Sequence, residues 1–304
     1  MSTSTSPNPQ PGQLKGNCHC GRFRFLLSTN LNIADLTTCS CTLCTKLGCL
    51  WVCGASIDVL TVTRDEGRLV EYQGLRFCGN CGTTVTGQHQ SGALKGEVLV
   101  NARTLWGFNP FEHDLGYYLL ATVDPRNSTS EILGRSIKHI PPPPDDARTL
   151  PPLLPSEGDT APSHQGSCHC GQVRMELLVD ISTLEVKEDN CSSCVRNAYI
   201  GIYPTKSQVR LHGTDNTFEY LYGRKFNGAA HCKTCGVLVF NNVYGPPVSV
   251  FDRLPPERRE AVLAVYWKNL DMLPLNVRAL DGVDFKALVV KREDEKTGGY
   301  ELVD

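Results

Sequence analysis

The sequence predicts a mainly β protein built from two tandem copies of one small cysteine-rich domain, with few helices and a proline-rich connection between the copies. Three observations lead there. The chain has 304 residues, which is long for one ordinary domain and suits two. An ordered set of cysteine motifs occurs twice. Between those motifs lie short runs in which apolar and polar residues alternate, the period of a half-buried strand.

The duplication can be followed block by block. "KGNCHCGRFRFLL" at 15–27 is answered by "QGSCHCGQVRMEL" at 165–177, and at the same offset Cys41 and Cys44 match Cys191 and Cys194. "FCGNCGTTVTG" at 77–87 is answered by "HCKTCGVLVFN" at 231–241, and "VNARTLWGFN" at 100–109 by "LNVRALDGVD" at 275–284. Constant order with a growing offset means two copies, the second carrying an insertion between its last two blocks. The boundaries that follow are a leader at 1–12, a first domain at 13–140, a linker at 141–165 and a second domain at 166–304. The linker, "PPPPDDARTLPPLLPSEGDTAPSHQ", is rich in proline and behaves as a semi-rigid spacer. Strand signals include Phe23 and Phe25 alternating with arginines, and Val173, Met175 and Leu177 alternating with polar neighbours. The insertion holds the clearest helix, "PERREAVLAVYWKNL" near 256–270, with proline at its start and a stripe of Val262, Val265, Tyr266 and Leu270.

Composition narrows the function. The net charge of −2 is spread evenly, with no basic stripe, which argues against nucleic acid and anionic membranes as partners. "MSTSTSPNPQPGQ" lacks the apolar core of a secretory signal, and no apolar run approaches a bilayer span. The fifteen cysteines are an odd number without a secretory signal, and most fall into C-x-C or C-x-x-C pairs. Such spacing brings two sulfurs to one side of a tight turn, as a metal at about 2.3 Å requires. Zinc and a reducing, cytoplasmic compartment are therefore expected, and "NST" at 127–129 reads as a plain loop.

Cys18 and Cys20 together with Cys78 and Cys81 form two pairs from distant segments, the donor set of a closed structural zinc site; Cys168, Cys170, Cys232 and Cys235 repeat it. With four thiolates at hand, His19 and His169, each between paired cysteines, are expected to face solvent. Cys39, Cys41 and Cys44 form a further cluster. The candidate fourth sulfur, Cys49, has Tyr199 as its counterpart, and Cys49, Trp51 and Cys53 alternate like one face of a buried strand. Three thiolates with an open fourth position are the expectation, which is how a catalytic zinc differs from a structural one. In the second copy Asp189 replaces the first cysteine beside Cys191 and Cys194, leaving either a harder site or none. About three zinc ions per chain are expected, four if Asp189 ligates.

G-x-C-x-C-G, C-x-C-x-x-C, C-x-x-C-G and a final N-x-R block, in this order, resemble the glutathione-dependent formaldehyde-activating enzyme family, which includes centromere protein V domains. The resemblance covers nearly the whole chain as two domains and implies an Mss4-like β-tent fold. It implies that Cys18, Cys20, Cys78 and Cys81 hold structural zinc and that Cys39, Cys41 and Cys44 hold catalytic zinc. The implied activity joins glutathione and formaldehyde into S-(hydroxymethyl)glutathione, a carbon–sulfur lyase reaction in reverse, with glutathione as co-substrate. Arg103 and Arg278 offer guanidinium forks for its carboxylates, or alternatively tie two loops together. The rival expectations are a zinc scaffold for protein partners and a related enzyme with another small-molecule substrate.

Overall fold

The computed structural model of the chain describes residues 13–28, 36–53, 60–112, 119–120, 138–142, 146, 150–151, 153 and 161–294. The leader, residues 127–129 and most of the linker lie outside them. The first copy contains β1 (Gln13–Asn17), β2 (Phe23–Ser28), β3 (Leu36–Cys39), α1 (Thr42–Leu47), β4 (Trp51–Cys53), β5 (Leu60–Asp65), β6 (Leu69–Tyr72), β7 (Leu75–Cys78), β8 (Thr84–Gln88), β9 (Val98–Asn101), β10 (Leu119–Leu120) and β11 (Lys138–Ile140). The second contains β12 (His164–Ser167), β13 (Arg174–Leu177), β14 (Val186–Asp189), α2 (Ser192–Asn197), β15 (Ile200–Ile202), β16 (Val209–His212), β17 (Thr217–Leu221), β18 (Asn227–Cys232), β19 (Leu238–Val243), α3 (Pro256–Leu270), β20 (Leu275–Asn276) and β21 (Val289–Glu293).

Each copy is a small three-stranded sheet against a larger one. The first has order β1-β2-β5 beside β11-β3-β4-β9-β8-β7-β6. The second repeats it as β12-β13-β16 beside β21-β14-β15-β20-β19-β18-β17. Strand pairing is antiparallel except at the last strand of each copy: β11 runs parallel to β3, and β21 runs parallel to both β14 and β10. The copies are not cleanly separate: β10, from the first, extends the second copy's large sheet by pairing with β21.

Alternation places Phe23, Phe25 and Leu27 of β2 in one core and Met175 and Leu177 of β13 in the other. The glycine before each C-x-C motif has a steric reason. A Cβ on Gly16 would lie 2.1 Å from the Phe25 ring, and one on Gly166 would lie 2.5 Å from Ala279 O. The predicted helix has the expected limits, Pro256–Leu270, and belongs to the insertion. Its apolar stripe is less buried than the pattern suggests, since Val265 is 59% exposed and none of the helix's residues is fully buried. Tyr266 anchors it, covering Gly245, meeting Phe251 edge-on and donating to Pro246 O at 3.0 Å. Among the described residues no helix is long and apolar enough to cross a membrane.

Candidate functional site

Four clusters of donor atoms appear where the cysteine motifs predict them. Cys18, Cys20, Cys78 and Cys81 converge in the first copy, and Cys168, Cys170, Cys232 and Cys235 in the second. Their sulfurs lie 3.6 and 3.7 Å apart along Cys18–Cys20–Cys78, and 3.4 Å at both steps of Cys168–Cys170–Cys232. A tetrahedron with zinc–sulfur bonds of about 2.3 Å has edges of about 3.8 Å, so both sets fit zinc as it would bind. All fifteen cysteines are free thiols. The crowding splits their acidities: hydrogen bonds from Cys18 and Cys78 hold the Cys20 thiol far below its ordinary value, and Cys168 and Cys232 do the same for Cys170. Each pocket thus favours a thiolate, the form a metal takes.

The third cluster is built around α1. Cys41 caps this helix, its sulfur accepting the Cys44 N–H at 3.4 Å, so both sulfurs lie on one side of the first turn. Cys39, at the end of β3, supplies the third and accepts the Cys41 N–H at 3.5 Å. Hydrogen bonding from Cys41 and then Cys44 holds the Cys39 thiol far below its usual value, while sharing a proton with Cys39 pushes Cys41 up to about 12. Cys49 stays outside the donor set, buried ahead of β4 as expected for a core residue. The corner expected to be vacant is not bare. His89, one residue past β8, brings its Nε2 to 3.2 Å from Cys44 Sγ and joins the cluster as a fourth donor. Trp51 seats both groups, donating Nε1–H to Cys44 Sγ at 3.3 Å and meeting the His89 ring edge-on. Sequence reasoning missed His89 because the second copy has Val243 at the matching position, so the duplication hid it.

His89 also lines a cleft of about 740 Å³ walled by β5, β6, β8 and the turn before β9. Phe23, Leu60 and Val62 give it apolar surface, Arg76 is paired with Glu71 at 3.3 Å, Lys95 and Asp65 add one charge of each sign, and its size is in the range of ligand pockets.

The fourth cluster gathers Asp189, Cys191 and Cys194 around the start of α2. The Cys191 N–H donates to Asp189 Oδ1 at 2.5 Å, and the two sulfurs are 3.2 Å apart. Asp189 therefore does occupy the place of Cys39, and the trio fits a metal with one harder donor.

His19 and His169 correct the expectation of solvent exposure: they are 2% and 6% exposed and clasp the two copies together. His169 Nδ1 lies 3.0 Å from the Tyr72 hydroxyl, and its Nε2 lies 3.1 Å from Thr42 Oγ1. His19 mirrors this, with Nδ1 2.8 Å from the Tyr220 hydroxyl and Nε2 3.1 Å from Ser192 Oγ. Burial, followed by the nearby Arg196 charge, pushes His19 down to about 4, so it stays neutral. Asp146, from the linker segment, accepts the Thr42 N–H at 2.6 Å and completes the support of α1. Each copy's C-H-C turn thus grips the helix that carries the other copy's second cluster.

Arg103 takes the second of the two roles expected for it, tying loops together. It is 1% exposed, donates from Nε to Gly48 O at 2.8 Å and reaches Val195 O of the other copy at 3.4 Å. Arg278 does the same with Ala198 O and Thr45 O. Both arginines tie helix C-termini across the junction, where carbonyl dipoles favour positive charge.

A scan against protein-family models found no match. Among solved structures, the chain is similar to a crystal structure of a Rhodobacter sphaeroides protein at 24% identity, covering 42% of this chain and 99% of that one with a TM-score of 0.30.

Proposed function

We propose that the first copy is a zinc-dependent enzyme of thiol–aldehyde adducts, making and cleaving S-(hydroxymethyl)glutathione as the formaldehyde-activating family does. The observation that carries this reading is His89, an imidazole set between three sulfur donors and the wall of a cleft able to admit a tripeptide. Zinc held by Cys39, Cys41 and Cys44 would supply one service, lowering the pKa of a thiol that reaches it so that the anion exists at neutral pH. The chain's own residues do the rest. His89 gives up its place among the donors and accepts the incoming S–H proton. The sulfur lone pair forms the new C–S bond while the carbonyl π pair moves onto oxygen, and His89 returns the proton there. The reverse sequence cleaves the same bond. Trp51 holds Cys44 in place throughout, and Lys95 offers charge to a carboxylate of glutathione.

The same histidine favours a second reading. Three cysteines and one histidine also make a closed structural set, and the protein would then be a zinc scaffold. Exchange NMR of glutathione and formaldehyde with the full-length zinc-loaded protein separates the two. Cys41→Ala is expected to abolish turnover and keep the native circular dichroism, and His89→Ala to slow turnover by about 10²-fold or more. Absence of turnover in the wild type, or unfolding of Cys41→Ala, supports the scaffold instead.

A further inference from the structure

The second copy does not repeat the first at its corresponding cluster, and the differences are concerted. Trp51, whose indole fills the space beside Cys44, is matched by Gly201, and Cys49 is matched by Tyr199. The phenol of Tyr199 folds over Gly201, where a Cβ would come within 2.8 Å of the ring. His89 is matched by Val243, so no further histidine, cysteine or acid joins Asp189, Cys191 and Cys194 among the described residues. Losing an indole and an imidazole leaves room. A cavity of about 240 Å³ opens beside the three donors, and all three line it.

Its other walls are specific. Tyr199, Tyr203 and Tyr222 face it, with amides from Asn227 and Asn241. The Tyr199 hydroxyl oxygen is buried and makes no hydrogen bond of ordinary geometry, with the Asn241 amide beside it. A buried hydroxyl in that state is costly unless something in the cavity pairs with it. No lysine or arginine lines the cavity among the described residues, unlike the cleft of the first copy. Asp189 and two thiolates would leave a divalent ion with net negative charge, and the nearest lysine, Lys187 over the Tyr203 ring, is already paired with Glu185 and Glu293, so an anionic ligand would meet repulsion.

We propose that the second copy holds a divalent metal on Asp189, Cys191 and Cys194, that its fourth position opens into this tyrosine-walled cavity, and that the ligand is a small uncharged molecule bearing a hydroxyl or carbonyl oxygen. The oxygen takes the open position or the phenol donors, and the rings cover its apolar body. The site is separate from the thiol–aldehyde site and stands whether or not that reading holds.

The test uses full-length protein loaded with cobalt under argon. Wild type is expected to bind one more metal ion per chain than the Asp189→Ala/Cys191→Ala variant. Benzyl alcohol is expected to change the visible cobalt spectrum of the wild type and not that of the variant. Benzoate, equal in size but anionic, is expected to bind at least about tenfold more weakly, by the charge argument above. Tyr199→Phe keeps the fold and the metal and is expected to weaken benzyl alcohol binding about fivefold, the loss of one hydrogen bond. Equal metal counts in wild type and the double variant would overturn the metal site. No response to benzyl alcohol, or a stronger response to benzoate, would overturn the open position and its ligand class.

Discussion

Gly48 and Ala198 meet at the junction of the two copies, where a Cβ built on Gly48 would lie 2.2 Å from the Ala198 methyl and 2.7 Å from Arg278 Nε. They are counterparts in the repeat, each ending a short helix in the left-handed region, at φ of 61° and 48°. The two equivalent positions therefore meet so closely that they cannot both carry a side chain. Gly48→Ala is expected to destabilise the protein by about 2–4 kcal/mol, combining a left-handed alanine with an overpacked contact. Ala198→Gly is expected to be neutral or stabilising by up to about 1 kcal/mol and to rescue part of the Gly48→Ala loss. Urea unfolding of the two single variants and the double variant measures this coupling.

His169→Ala removes the partner of two hydroxyls, Tyr72 and Thr42, and is expected to cost about 1–3 kcal/mol. His19→Ala is expected to cost a similar amount through Tyr220 and Ser192. Metal analysis of both variants should show wild-type zinc content. A loss of zinc would mean that these imidazoles are donors rather than clasps.

Arg103→Lys is expected to destabilise by about 2–3 kcal/mol, since the shorter ammonium cannot reach both Gly48 O and Val195 O. Under the proposed thiol–aldehyde activity, its KM for glutathione should equal that of the wild type. A raised KM with unchanged stability would return Arg103 to the substrate.

Chelator titration should remove metal in stages. The half-buried Asp189, Cys191 and Cys194 site is expected to lose its ion first with little change in circular dichroism. The two four-cysteine sites should lose theirs last, with cooperative unfolding, because binding energy there is folding energy. Unfolding at the first stage would contradict the assignment.

The repeat made the donor clusters legible because metal ligands must recur in type and order, and the aligned cysteines do. The insertion helix was legible from Pro256 and its apolar spacing, although only Tyr266 anchors it strongly. Three features were not. His89 has no counterpart, so comparison of the copies could not flag it. His19, His169 and Arg103 take their meaning from partners in the other copy, and the pattern within one copy does not reveal which surfaces face one another. The second cavity follows from Gly201 in place of Trp51 and Val243 in place of His89, with Tyr199 in place of Cys49 as a wall, exchanges that read separately as core substitutions.

The four donor clusters are tested most directly by the zinc content of the purified full-length protein beside that of Cys41→Ala, each measured by mass spectrometry under native conditions. Four ions are expected in the wild type, two of them on four-cysteine sites, and three in the variant with its fold intact. Two ions in the wild type would contradict this expectation.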